Sequence, residues 1–322
     1  MVPKRDITRT LAEGTVRMHM KTYNSDPKRT IRRLIDTGYR LSHSCVQKEI
    51  LLQIGGLFQK ENSAYYTAVD KELKNVDNEK LLHFGLNLAL NSWRRGAHRI
   101  HLHERLTGKE MPWILNLKLT GENAGQYTEE YMDKLIEHFE AQGIYAYHVE
   151  CMPEAVNQLP EIWKAIHSHQ ECDFLIKLPD VELKETFLLA LENLKNVLLG
   201  VSMEGEHVDA LCESLLAHHL FYARTKSLSA EDLSVPVTEM KALLKKMTSC
   251  LENKGTSILL LRTDEGVSNL TMQKFFNQVM DFRKNCKTPV LLVSYHNDCQ
   301  KINRILLGEN VSTDINSYLP IE

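Results

Sequence analysis

The chain has 322 residues, a net charge of −3, and 43% hydrophobic and 25% charged residues, an ordinary composition for a globular protein. It is long enough to bury a substantial core, as one large domain or as a domain with an appendage. No basic excess points to nucleic acid or an anionic membrane as a partner. The N-terminus lacks the apolar run of a signal peptide, and no stretch approaches the roughly 20 apolar residues of a membrane span. We therefore expect a cytoplasmic protein without a nucleic-acid or membrane partner.

The first 110 residues have the pattern of a helical region. Asp26-Pro27 is a favourable helix start, because proline is accepted in the first turn. Asp77 or Asn78 can cap a later helix that is apolar on nearly all sides and should be buried. A separate helix is predicted over residues 93–106, with Gly108 ending it. We predict a helical N-terminal region over residues 1–110.

From Met111 onward, short β-rich runs alternate with amphipathic helices. Seven runs have this character, at residues 114–119, 144–149, 174–178, 197–202, 220–225, 258–261 and 290–294. Alternation at this spacing predicts right-handed βαβ units and a parallel sheet. Six or seven such units can close partly or fully into a barrel, or form an open doubly wound sheet, and periodicity does not choose between them.

The seven cysteines are scattered, and no CxxC or CxxxC spacing occurs. Their odd number and their placement argue against a disulfide framework. We expect reduced thiols that are mostly buried. A metal cluster held by cysteines that the fold brings together, such as Cys151 and Cys172, is the alternative.

Several segments between residues 80 and 305 resemble, in order and spacing, one group of radical S-adenosylmethionine (radical SAM) proteins. That group has a helical N-terminal region, a first strand with Pro-Trp, a TGGE second strand and an Ile-Ser-Val-Glu-Gly fourth strand. Here Pro112-Trp113 begins the first strand, residues 142–147 resemble the second strand with its glycine turn, and Val-Ser-Met-Glu-Gly at 201–205 is similar to the fourth. The resemblance implies an α/β fold, a partial (β/α)6 TIM-type barrel of parallel strands over residues 111–322.

The chain departs from this family where the family's chemistry resides. The turn at residues 120–126 contains no cysteine, whereas CxxxCxxC in this turn holds the family's [4Fe–4S] cluster. Residues 148–151 stand in place of TGGE, which holds the amino group of S-adenosylmethionine, and Pro179-Asp180 replaces an asparagine–glycine turn. Of the strand motifs, only Glu204-Gly205 remains. Because the cofactor supplies the difficult chemistry, the resemblance implies a protein without radical catalysis.

Polar residues at the carboxyl ends of parallel strands form the usual binding face of a barrel. The candidates at this face are Glu150, Asp180, Glu204, Asp264 and His296. Together they predict an acidic mouth for a cation or an amine, unless they only cap the strand ends. By the resemblance, Glu150, Glu204 and Gly205 are the candidate cofactor-binding residues, and no catalytic residue is assigned.

Three histidines, His98, His101 and His103, form with Glu104 the densest group of potential metal ligands. Zinc needs three or four converging ligands. We expect a solvated helix face here and predict no metal site.

Two functions remain open. The first is a radical SAM pseudoenzyme, whose barrel is a binding or regulatory module for a protein or peptide, for example an intact radical SAM paralogue. The second is an enzyme that binds S-adenosylmethionine or another small molecule at the strand ends without classical radical chemistry. We expect no cofactor in the first case and S-adenosylmethionine as the candidate in the second.

Overall fold

The structure, a computed structural model, describes residues 7–42, 45–264, 266–285, 287–308 and 311–318, without the side chains of residues 45 and 46. Predictions for the Cys45 side chain, for Cys286 and for the tail at 319–322 lie outside the described residues. The part before the first strand forms α1 Ile7–Lys21, α2 Pro27–Leu41, α3 Cys45–Leu57, α4 Ala64–Asn75, α5 Asn78–Leu86, a π-helix Asn87–Gly96 and α6 Ala97–Thr107.

Local signals define the ends of these helices. Asp26 accepts a hydrogen bond from the Arg29 amide at the start of α2, and Asp77 accepts two from the first turn of α5. These caps satisfy amides that have no partner inside the helix. Gly108 ends α6 in the left-handed conformation, at φ 70°. The predicted starts at residues 26 and 77 and the end at Gly108 are confirmed.

The prediction of two separate helices between residues 78 and 106 is wrong, because α5 continues through the π-helix into α6. The π-helix presents Asn87 and Asn91, both buried, to the loop before the third strand. Asn87 donates to the carbonyl oxygens of Gln170 and Cys172, and Asn91 donates to that of Glu171. The periodicity of apolar residues could not predict these hydrogen bonds, because their acceptors lie in a loop about 80 residues away in sequence.

The remainder of the described chain contains seven parallel strands in one sheet. They are β1 Ile114–Leu119, β2 Ala146–Cys151, β3 Asp173–Lys177, β4 Val197–Ser202, β5 Tyr222–Leu228, β6 Ile258–Thr263 and β7 Leu291–Ser294. The helices between and after them are α7 Glu129–Gln142, α8 Leu159–Ser168, α9 Glu185–Glu192, α10 Val208–Ala217, α11 Ala230–Leu233, α12 Val237–Ser249, α13 Asn269–Asn285 and α14 Tyr295–Leu307. The predicted α/β class and parallel sheet are confirmed, with seven strands where the resemblance implied six.

The strands are hydrogen-bonded in chain order, from β1 to β7, and a contact between β2 and β6 shows that the sheet is strongly curved. Glu150 Oε2 on β2 lies 3.1 Å from Arg262 Nη1 on β6. In a flat sheet, four strand spacings would separate these strands by about 19 Å. A doubly wound sheet reverses its strand order at a switch point. The sequential order therefore rules out the doubly wound alternative.

The edge of β1 is covered by α14 and by the segment that follows it. The Asn303 Oδ1 atom of α14 accepts a hydrogen bond from the Trp113 amide, and the Trp113 indole donates to the carbonyl oxygen of Cys299. The Asn116 amide donates to the Thr313 carbonyl oxygen at 2.6 Å. These bonds satisfy edge groups that would otherwise be open to pairing with another chain.

The concave face is filled by α5 near the amino ends of the strands. Leu198, Ala223 and Leu260 form one buried cluster on this face, and Phe84 of α5 packs against it. Lys80, also on α5 and buried, donates to three backbone carbonyls at the end of α9. The charged side chains of β2, β3 and β6 that can meet a ligand therefore lie at the opposite, carboxyl end, whereas Asp173 is buried at the amino end of β3.

Candidate functional site

The central feature at the carboxyl ends is a cluster of three charged side chains from three strands. Glu150 and Lys177 are register partners on β2 and β3, so their side chains lie on the same face. Lys177 Nζ lies 2.6 Å from Glu150 Oε1, and Arg262 Nη1 lies 3.1 Å from Oε2. The three side chains are 17%, 27% and 24% exposed for Glu150, Lys177 and Arg262. Both oxygens of the carboxylate are thus engaged by cations of the same chain.

The charge of Glu150 is stabilised by these neighbours. Burial disfavours its ionised form, but the hydrogen bond from Lys177 and the charges of Arg262 and Lys177 outweigh burial and lower its pKa to about 2. The carboxylate is therefore ionised at neutral pH. It is neither a general acid there nor a free acceptor for an ammonium group.

Two packed rings, those of His148 and Tyr295, lie beside the cluster. His148, two residues before Glu150 on the same face of β2, is buried, and its ring centre lies 4.7 Å from that of Tyr295. Burial, together with the charge of Arg262, lowers the pKa of His148 to about 3, so the imidazole is neutral. Tyr295 donates a 2.7 Å hydrogen bond to Asn116 Oδ1, which ties the end of β7 to β1.

With a neutral His148, the cluster carries one more positive than negative charge. The acidic character predicted for the strand ends does not hold at this position. Lys177 and Arg262 are absent from the predicted site. The signal that could have found them is a basic residue within an otherwise apolar strand, at the strand end where a parallel register would place it beside Glu150.

Glu204 lies apart from the cluster, in the loop after β4. It belongs to the rim, by which we mean the carboxyl ends of the strands and the loops that follow them. Its side chain is 75% exposed, and it forms a 2.7 Å ion pair with Lys226. No described hydrogen bond or ion pair links Glu204 to Glu150. The structure therefore places the two predicted carboxylates in different environments.

Gly205 has a packing role that the sequence does not reveal. Asp180 accepts hydrogen bonds from the amides of Glu206 and His207, 2.8 and 3.1 Å away, just before α10. A Cβ atom at Gly205 would lie 2.3 Å from Asp180 Cγ, and the residue has a positive φ of 154°. The glycine leaves room for the carboxylate, so Asp180 and Gly205 form one structural unit.

The other two predicted rim residues take separate positions. The Asp264 side chain is exposed, and its amide donates to the Leu228 carbonyl oxygen. His296 Nε2 lies 2.9 Å from the Gln300 side-chain nitrogen, and burial lowers the pKa of the imidazole. No described hydrogen bond or ion pair joins either residue to the Glu150 cluster.

The turn at residues 120–126 is compact and internally bonded. The Thr120 amide donates to Asn123 Oδ1 at 2.8 Å, and Asn123 Nδ2 donates to the Lys118 carbonyl oxygen at 2.9 Å. Thr128 then caps α7 by accepting from the Tyr131 amide. The short connection leads directly from β1 into α7.

Cys151 and Cys172, the pair named for a cluster of distant cysteines, cannot share one. Cys151 ends β2, whereas Cys172 precedes β3 at the amino end of the sheet, where Asp173 pairs with Ala146. Their backbones lie about 20 Å apart along the strand direction. Cys151, Cys172, Cys212 and Cys299 are buried free thiols, and Cys250 is an exposed one.

The described residues contain no group of three or more His, Cys, Asp and Glu that could hold a metal ion. In the histidine group, His101 Nε2 lies 2.9 Å from the Leu306 carbonyl oxygen, and Nδ1 lies 3.5 Å from Glu104.

None of the helices in the described part of the chain has both the length and the apolar character needed to cross a bilayer. Comparison with family models, curated proteins and solved structures finds no match.

Proposed function

We propose that this chain is a radical SAM-like protein that has lost cluster and cofactor chemistry and acts as a non-catalytic binding or regulatory module. The observation that supports this most strongly is the pairing of Glu150 with Lys177 and Arg262. Residues 148–151 take the place of the family's TGGE segment, which holds the amino group of S-adenosylmethionine. Here the ammonium of Lys177 contacts the carboxylate nearest to that position.

The residues present do not fit an iron–sulfur cluster in this turn. The closed turn at 120–126 has no thiolate, and Cys151 and Cys172 lie at opposite ends of the sheet. A cluster of this type is held by cysteine thiolates at set positions. This turn therefore has no ligands for the cluster on which radical chemistry depends.

The same proposal includes the finer architecture. The curved sheet supports a partial barrel over residues 111–322, and the helices before it support a helical N-terminal region over residues 1–110. We propose a cytoplasmic protein whose partner is a protein or peptide, such as an intact paralogue, and not nucleic acid. The rim, with the exposed Glu204, is the surface proposed for that contact.

Calorimetric titration with S-adenosylmethionine tests the loss of the cofactor site. We expect no saturable heat, and no shift of the melting temperature, because Lys177 and Arg262 already satisfy Glu150. Two variants are titrated in parallel: Glu150→Gln alters the central cluster, and Glu204→Gln makes the same substitution at an exposed site as its control.

Saturable binding by the unaltered protein would contradict the proposal and favour the small-molecule enzyme. If Glu150→Gln then weakened that binding and Glu204→Gln did not, the ligand would be assigned to the strand-end cluster.

A further inference from the structure

The helical N-terminal part contains a cavity of about 240 Å³ that is separate from the strand-end cluster. Its walls come from α1, α2, α3, α5 and the π-helix. Several lining residues are less than 9% exposed, among them Ala12, Leu82 and Leu86. Most of the other lining residues are partly exposed and Gly85 is exposed, so the space lies between these helices and opens to solvent on one side.

The described part of the lining carries no charged side chain. Among the described residues that line the cavity, none is Asp, Glu, Lys, Arg or His. Two of its polar side chains already bond to backbone groups: the Ser42 hydroxyl donates to the Gly38 carbonyl oxygen at 2.7 Å, and Gln47 Nε2 donates to that of Ala89 at 2.8 Å. The described residues of the cavity therefore offer apolar surface and no ionic partner.

Two features of the sequence keep this space open. Gly85 lies inside α5, where glycine is less favourable than alanine, yet an added Cβ would meet no atom within 4 Å. The π-helix contributes Ala89, Leu90 and Trp93 to the wall. Protein interiors are normally close-packed, and π-helical turns are rare and frequently occur at functional sites.

We propose that this cavity binds one small neutral molecule that is mainly hydrocarbon and larger than benzene. An apolar cavity of about 150 Å³ is sufficient to bind benzene. The larger volume admits a larger guest, and the uncharged lining disfavours an ionic one. The proposal is independent of the function proposed for the strand-end cluster.

Fluorescence titration with N-phenylnaphthylamine tests the site in the full chain. We expect saturable binding of one molecule, energy transfer from the tryptophans near the cavity, and displacement by octanol. Gly85→Leu should weaken binding by at least about tenfold, because the added side chain occupies the space that the guest needs.

The matched control is Gly14→Leu, the same substitution in a helix, at an exposed glycine that does not line the cavity. It should bind as the unaltered protein does. If circular dichroism shows that Gly85→Leu is unfolded, Ala89→Leu on the π-helical wall replaces it. Non-saturable binding, or equal affinity in the folded cavity variant and the control, would overturn the proposal.

Discussion

Glu150 lies between two cations from different strands, and each of its carboxylate oxygens contacts one of them. Lys177 comes from the neighbouring strand, whereas Arg262 reaches across the concave face. Because all three side chains are largely withdrawn from water, their charges are screened less than those of a surface pair. Removing one member therefore leaves the others insufficiently compensated.

We expect Glu150→Ala to lower the free energy of unfolding by about 3 kcal/mol, because it leaves the largely buried Lys177 and Arg262 without their counter-ion. Urea denaturation at pH 7 measures this. Since the pKa of Glu150 is lowered to about 2, its contribution is complete above the unfolded pKa near 4.5 and declines as the pH falls toward 2. The difference between the two proteins should shrink over that range.

The control for this prediction is Glu204→Ala, which removes an exposed carboxylate paired with Lys226. Exposed ion pairs contribute little, so its effect should stay below about 1 kcal/mol. Equal losses in the two variants would show that the central cluster has no special role in stability.

At the scale of elements, α4 is attached to the start of β6 through Glu72. This residue is buried, and its Oε1 accepts hydrogen bonds from the Ser257 amide and the Thr256 hydroxyl. Burial raises the pKa of Glu72 to about 7, although both of these bonds and the charge of Lys71 oppose the change. The contact between helix and strand is therefore sensitive to pH.

The folded protein holds a proton on Glu72 at pH values where the unfolded chain has released it. Stability should fall as the pH rises from about 4.5 to about 7, by about 3 kcal/mol for a shift of this size. Glu72→Gln should remove this component, because the amide does not titrate. Urea unfolding at pH 5 and pH 8 measures the difference.

The matched variant Glu252→Gln, at an exposed residue on the loop before β6, should keep the pH dependence of the unaltered protein. A Glu72→Gln protein with the same dependence as the unaltered one would contradict this account of the helix–strand contact.

At the scale of the whole molecule, the curved sheet is completed by chain segments distant in sequence. Asn303 of α14 bonds the amide of Trp113, and Tyr295 bonds Asn116 on β1. Long-range contacts of this kind form only when the ends of the sheet approach each other. They link the last helix to the first strand.

We expect Asn303→Ala to lower the free energy of unfolding by about 1–3 kcal/mol, because the buried Trp113 amide loses its acceptor. Hydrogen exchange should accelerate more in β1 and α14 than in the central strand β4. Mass spectrometry of the exchanging amides measures this difference. Uniform acceleration of exchange across all strands would contradict the prediction that the contact between α14 and β1 opens separately from the rest of the sheet.

The control is Asn193→Ala. Asn193 directly follows α9, and its exposed side-chain amide donates to the carbonyl oxygen of Leu189 within that helix. It should change the exchange of β1 and α14 little. An equal effect in both variants would assign no special role to Asn303.

The order and type of most elements could be predicted from the sequence. The bounds of β1 and β4 match the predicted runs at 114–119 and 197–202, and β2 begins two residues later than predicted. Alternating polarity and capping residues act over a few positions, so they can be interpreted locally. The lack of cysteine in the turn at 120–126 is likewise a property of the sequence itself.

The neighbours of the site residues depended on tertiary structure. Only the parallel register sets Lys177 beside Glu150, and only the curvature brings Arg262 to the other oxygen. The role of Gly205 likewise depends on Asp180, which approaches from a different loop. Periodicity along the chain specifies the face of the sheet on which a side chain lies. The distance between two side chains on that face is set only when the strands pair and the sheet bends around its core.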